Sequence, residues 1–289
     1  MDNQEVLEKR KKTEKVLANI STLPSIPEVM FEVTKLLDDP SVSTTALAKI
    51  IGKDQGLVTK ILSIANSPLY GLARRVSTID YAIIILGFQE IKNMVIALSM
   101  MEAFKIKNDK ILNYKDFWVH SILTGAAARR LAVEFEYANT GEAFVAGLLH
   151  DLGISVIHKY FHTSFQAILK LVEEGKTFLE AEEEVLGLTH QEMAKFLAEH
   201  WNFPSSLSEA IAHHHLPGKS VGDKKLASII HFADFMVNKI IPDKYFWDAQ
   251  IQIDTSVFDI LKISNAEQAE ALTEKYRPLI EEEINLAWF

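Results

Sequence analysis

The segment Phe144-Val-Ala-Gly-Leu-Leu-His150-Asp151-Leu-Gly-Ile-Ser-Val-Ile157 limits what this chain can fold into more than any other. Apolar residues dominate both sides of an adjacent histidine and aspartate, so a helix built from the segment is buried nearly all round. An unpaired carboxylate is costly in such a place, and Asp151 therefore needs a cation or a full set of hydrogen-bond donors. A His–Asp pair inside a core helix points to metal ligation.

The rest of the chain can supply the core this requires. Its 289 residues, 48% hydrophobic and 24% charged, suffice for one large domain or two modest ones. There is no cysteine, which removes disulfides, thiolate zinc sites and cysteine nucleophiles. No signal-peptide core follows Met1 and no apolar run approaches roughly eighteen residues, so the expected location is the cytoplasm, without membrane association. A net charge of −9 disfavours broad coating of nucleic acid.

Periodicity predicts an all-α, multi-helical, two-lobed bundle. Residues 1–20 read as a solvated amphipathic N-terminal helix. A helical lobe follows over 21–109, and a metal-binding helical lobe over 110–289, with polar Lys105–Lys110 as the boundary. In the first lobe, helices are expected from Pro27 to Leu37, over 46–51 and 57–65, from Ser77 or Thr78 to Leu86, and over 89–104. In the second they are expected at 114–135, 142–160, 162–185, 190–201, 205–214, 224–241 and 265–286. Ile251–Val257 is the one modest strand candidate.

Six further polar residues occupy places where apolar ones are expected. Asp116 and His120 stand four apart and share a helix face. His190 opens a helix behind Thr189, His214 and His215 close another, and Asp234 is the lone carboxylate of Ile229-Ile-His-Phe-Ala-Asp234-Phe-Met-Val. Each has an ordinary reading: Asp116 as a helix-dipole partner, His190 as a first-turn residue, the histidine pair as a polar helix end. His158, His162 and His200 read as structural, and His231 as a supporting residue behind a ligand. Taken together, histidine and aspartate without cysteine form a nitrogen/oxygen donor set suited to iron, manganese, zinc or magnesium. The set exceeds what one tetrahedral ion needs, so two divalent ions are expected, with Asp151 as the bridge.

These residues resemble a known pattern. His120, His150-Asp151 and Asp234 are similar to the H…HD…D signature of HD-domain metal phosphohydrolases. With Asp116, His190, His214 and His215 they resemble the ligand set of the HD-GYP branch, which hydrolyses cyclic di-GMP with two or three metals. The resemblance implies iron first, with manganese or zinc as alternatives. The N-terminal half, through Leu23-Pro24-Ser25-Ile26-Pro27, Leu47-Ala48-Lys49-Ile50-Ile51-Gly52-Lys53-Asp54, Ile64-Ala65-Asn66-Ser67-Pro68 and Ala82-Ile-Ile-Ile-Leu86-Gly87, looks like the HDOD (HD-related output) domain. That resemblance implies a bacterial signalling output module whose partners are other signalling proteins.

Two departures separate the chain from HD-GYP enzymes. The lysine three residues after the HD aspartate is replaced by Ile154, and the GYP loop by Leu216-Pro217-Gly218-Lys219. A phosphate would have to be held by Lys219, Lys224 or Lys225. The expected function is thus a signalling module with a dinuclear site. The alternative is an active phosphodiesterase or phosphohydrolase on a nucleotide, possible as a ligand in either case. A DNA-binding reading ranks last: Thr44–Asn66 imitates a helix-turn-helix, with Lys49, Lys53, Lys60, Arg74 and Arg75 nearby.

Overall fold

A computed structural model describes residues 3–20, 28–37, 39–68, 70–104, 111–242, 244–249 and 251–285. The first half holds α1 (Asn3–Ile20), α2 (Glu28–Leu37), α3 (Thr44–Ile51), α4 (Gln55–Ala65), α5 (Ile79–Leu86) and α6 (Phe88–Ala103). The second holds α7 (Tyr114–Glu134), α8 (Thr140–Leu149), α9 (Leu152–Tyr160), α10 (His162–Glu173), α11 (Phe178–Leu186), α12 (His190–His200) and α13 (Ser205–Ala212). A short 3₁₀ turn at Pro217–Lys219 leads to α14 (Lys224–Ile240), α15 (Ser256–Leu261) and α16 (Ala266–Asn285). No strand occurs among the described residues, and the fold is all-α.

Helix starts follow local chemistry. Ser43, Asp54, Thr78 and Asn113 each accept a first-turn N–H through the side chain, and Thr189 with Glu192 closes a capping box at α12. Thr177 and Glu180 form a second box, which starts α11 afresh and divides the single helix expected over 162–185. The strand expected at Ile251–Val257 is absent. There the Asp254 N–H is bound by His231 Nε2 at 2.8 Å, and Val257 already belongs to α15.

The organising segment is also divided. The helix expected over 142–160 stops at Leu149 and restarts at Leu152, with His150 and Asp151 in the break. Adjacent residues of a straight helix point about 100° apart, so only one of the pair could face a shared centre. The break turns Asp151 inward: it stands at the N-cap of α9 yet makes no capping bond. Taken across the break, Thr140–Tyr160 has the length and mean hydropathy of a membrane span, but 89% of its most apolar window is buried inside the protein.

The core of the second half is α7 packed against α8 and α14. Gly125 and Gly147 meet where α7 crosses α8; a Cβ on Gly147 would lie 2.9 Å from both the Gly125 Cα and the Thr124 carbonyl oxygen. That close crossing brings His120 beside His150, their rings 5.3 Å apart. Gly153 lies against α12 even more tightly, since a Cβ there would fall 2.1 Å from the His190 carbonyl oxygen.

The N-terminal helix is not a free appendage. Thr13 Oγ1 donates to the Leu186 carbonyl at 2.7 Å, Arg10 pairs with Glu192 at 2.8 Å, and Leu17 is fully buried. The halves are further tied by Glu90 of α6, which accepts from Tyr70 Oη at 2.6 Å and from Arg129 Nε of α7 at 3.1 Å. The expected boundary at 105–110 and the motif at 23–27 lie outside the described residues.

Candidate metal centre

Seven polar side chains from α7, α8–α9, α12, the end of α13, α14 and the α14–α15 loop converge on one buried point, with His215 at its edge. Asp151 presents one oxygen to each of two groups. Its Oδ2 lies 3.1 Å from His150 Nε2 and 3.5 Å from His120 Nε2. Asp234 Oδ1 joins that side, 3.1 Å from His120 Nε2 and 3.7 Å from His150 Nε2. Asp151 Oδ1 lies 3.5 Å from His190 Nε2 and 3.7 Å from His214 Nε2. His215 completes the second side, its Nε2 3.2 Å from His190 Nε2.

These separations suit a shared cation. Two ligands bonded at about 2.1 Å to one ion lie about 3.0 Å apart at octahedral and about 3.4 Å apart at tetrahedral angles. Four donors, from Asp151, His190, His214 and His215, lie within 4.8 Å of one another, as do those of His120, His150, Asp151 and Asp248. His150 Nε2, Asp151 Oδ1, Asp234 Oδ2 and Asp248 Oδ2 are buried without a hydrogen-bond partner among the described residues. Such orphaned atoms are costly unless a cation satisfies them, so the donor set fits a divalent metal.

The ligand atoms are aimed from behind. His150 Nδ1 lies 2.7 Å from the Gly147 carbonyl oxygen, and His214 Nδ1 2.7 Å from that of Ile211. Donation there fixes the tautomer and leaves each Nε2 lone pair facing the centre. Glu182, fully buried on α11, accepts both the His190 N–H at 3.0 Å and His190 Nδ1–H at 2.8 Å. Asn238, one turn along α14, donates to Asp234 Oδ1 at 2.9 Å. Trp247 Nε1–H donates to Asp151 Oδ2 at 2.7 Å.

Burial by itself pushes the Asp151 carboxyl up, but His150, His120 and His190 outweigh it and hold the group well below the usual carboxylate range. The Asp234 carboxyl, also opposed by burial, is held low by His120 and His150. Asp248 moves the other way, pushed well up by burial and then by Asp234 and Asp151. Burial and then the neighbouring imidazoles push His214 down, and burial and His190 push His215 down to about 3. The neutral imidazoles of His214 and His215 beside crowded carboxylates are what a cation recruits. A cation held here would lower the pKa of a coordinated water and polarise a phosphate oxygen.

Seven of the eight expected ligands meet here: His120, His150, Asp151, His190, His214, His215 and Asp234. Asp116 does not join them. It sits one turn from His120 at the surface, where Lys244 Nζ binds it at 3.1 Å. His231 supports the centre through the backbone, its Nδ1 2.7 Å from the His214 carbonyl oxygen. Lys219 and Lys224 are exposed and Lys225 partly so. Lys224 and Lys225 open α14, about 15 Å along the axis from Asp234. The helix expected over 205–214 ends at Ala212, so His214 and His215 lie in the turn beyond it.

The sequence reading missed Glu182, Asn238, Trp247 and Asp248. Glu182 is one of several acidic residues in Phe178-Leu-Glu-Ala-Glu182-Glu-Glu, where no pattern marks the buried one. Asp248 follows Tyr245-Phe246-Trp247 in a loop, outside any helical period. Three consecutive aromatics leading into an acid were the available signal.

An all-helical fold with a central H…HD…D cluster defines the HD type of protein. Residues 23–217 match the model of the HDOD domain, and the chain belongs to the HDOD family. An HDOD domain protein of unknown function from Geobacter sulfurreducens has the same fold, with a TM-score of 0.77 at 24% identity over 96% of this chain and 99% of that one. A protein from Shewanella amazonensis, provisionally named a phosphohydrolase, aligns with a TM-score of 0.72 at 23% identity, covering 94% and 98%. One from Marinobacter aquaeolei, provisionally named a signal transduction protein, gives 0.73 at 20% identity, covering 97% and 66%. An uncharacterised protein of Treponema pallidum is 24% identical over 86% of this chain, which spans about half (48%) of that relative's length.

Proposed function

We propose that this chain is a cytoplasmic HDOD signalling output module built around a dinuclear metal centre that no longer turns over phosphoesters. The observation that carries this reading is the enclosure of the donor set. His120, His150, Asp151 and Asp234 are fully buried, His215 keeps 11% of its side chain exposed, and Trp247 sits on Asp151. Ile154, where the HD-GYP enzymes carry a lysine, is also fully buried. The two oxygens of Asp151, each facing its own imidazoles, support two ions bridged by that carboxylate. Iron is the first expectation for both, with manganese or zinc next. The signal passes to partner proteins by packing between the two halves, and the Tyr70–Glu90–Arg129 contact is a path for it.

The full chain, purified anaerobically under reducing conditions, is expected to carry about two iron ions by elemental analysis. With iron or manganese it is expected to hydrolyse neither cyclic di-GMP nor bis(p-nitrophenyl) phosphate. Turnover that vanishes in His150→Ala would establish the phosphohydrolase reading instead, which the retained ligand set favours. The DNA-binding reading has less support, because Lys53 pairs with Glu32 at 2.7 Å and Lys60 with Glu102 at 3.4 Å.

Glu182→Gln offers a finer test. It keeps the shape behind His190 and removes the charge, so metal affinity is expected to fall about 10–100-fold in chelator competition. An unchanged affinity would mean that Glu182 only fills space.

A further inference from the structure

The loop between α14 and α15 does more than cover the centre. Tyr245, Trp247 and Asp248 are 1%, 5% and 3% exposed although they belong to no helix. The Tyr245 ring lies 4.3 Å from that of His120, and Phe246 reaches Phe165 and Phe178 of α10 and α11 at 6.4 and 6.1 Å. At the rim, Lys244 is held by Asp116. The loop is therefore fastened by the residues that lead into Asp248.

Asp248 Oδ2 lies 3.7 Å from His120 Nε2, and Asp248 Oδ1 lies 3.5 Å from His215 Nε2. His120 belongs to the Asp151 Oδ2 group and His215 to the Oδ1 group. Asp248 thus spans both, as Asp151 does, from a different part of the chain. Its Oδ2 is buried without a hydrogen-bond partner among the described residues, a costly state that a cation would relieve. An incoming phosphoester needs to present its oxygens to both groups, and Asp248 already does so.

We infer that Asp248 is a second bridging ligand, supplied by the α14–α15 loop, that takes the place an anionic substrate would need. This rests on the reading of the cluster as a metal centre. The loop acts as a built-in occupant: it tightens metal binding and keeps phosphate off.

The test uses the full chain reconstituted with cobalt(II) alone, then titrated with inorganic phosphate while the visible spectrum is followed. Wild type is expected to hold cobalt and show no change with phosphate. Asp248→Ala is expected to bind cobalt at least about 10-fold more weakly and to change its spectrum as phosphate enters. Asp248→Asn preserves shape and serves if the alanine variant fails to fold. Wild-type and variant chains that bind cobalt equally, with the same response to phosphate, overturn the role of Asp248 alone. A wild-type chain that binds no cobalt, iron or manganese overturns the metal centre and this inference together.

Discussion

Asp151→Ala is expected to leave the protein without metal and to lower its Tm by roughly 10 °C. The carboxylate is the one group that touches both sides of the centre, meeting His120 and His150 through Oδ2 and His190 and His214 through Oδ1. Its loss also strips Trp247 Nε1–H of its acceptor in a buried place. Removing one partner from a buried charged set costs about 3–5 kcal/mol, and a chain of this size loses about 2–4 °C for each. His150→Ala is expected to act the same way with a smaller effect, because it removes a donor from one side only. Elemental analysis and calorimetry on the two variants decide the matter. Metal content and Tm unchanged in both would end the assignment of the site.

Gly153→Ala should destabilise the fold by about 3 kcal/mol or more, although it adds a single methyl group. The new Cβ would sit 2.1 Å from the His190 carbonyl oxygen and 2.6 Å from its carbonyl carbon. Both are main-chain atoms at the start of α12, so no side chain can swing away. The start of α9 and the start of α12 would have to separate, carrying Asp151 from His190. Urea unfolding measures the loss, and a shift under about 1 kcal/mol would show that the two helices do not need this contact. Gly175→Ala is a poor control because its φ is 102°. Gly56→Ala is better, since the nearest obstacle is an Asp54 side-chain oxygen at 3.3 Å.

The helices and most of the ligands were legible in the sequence, for one physical reason. A histidine or aspartate on an otherwise apolar helix stands out because burial without a partner is penalised, which marked His120, His150, Asp151 and Asp234. Caps were legible in part: Thr189 caps α12 as its position foretold, and of the two residues expected to open α5, Ser77 and Thr78, it is Thr78 that caps it. Period alone could not reveal the break at His150–Asp151, because the apolar pattern runs through it unchanged. Asp116 has the right spacing from His120, but spacing fixes a helix face and not a depth along it. One turn toward the start of α7 is enough to bring it to the surface and to Lys244. Asp248 and Trp247 were invisible because loop residues follow no period, and their burial depends on where α14 ends and α15 begins.

The converging side chains have a consequence for the unfolded chain. With no cysteine, nothing covalent joins distant segments of this protein. An ion gripped by His120 at one end and Asp248 at the other would close a loop over nearly half the sequence. The entropy cost of closing a loop rises only logarithmically, by about 0.6 kcal/mol per doubling, so this long closure restrains the denatured ensemble somewhat more than a single short one would. The centre would then serve the chain as a reversible staple, in the role that disulfides fill in other proteins. Supply of the metal would set how long the staple stays closed, and with it how often the helices around the centre open.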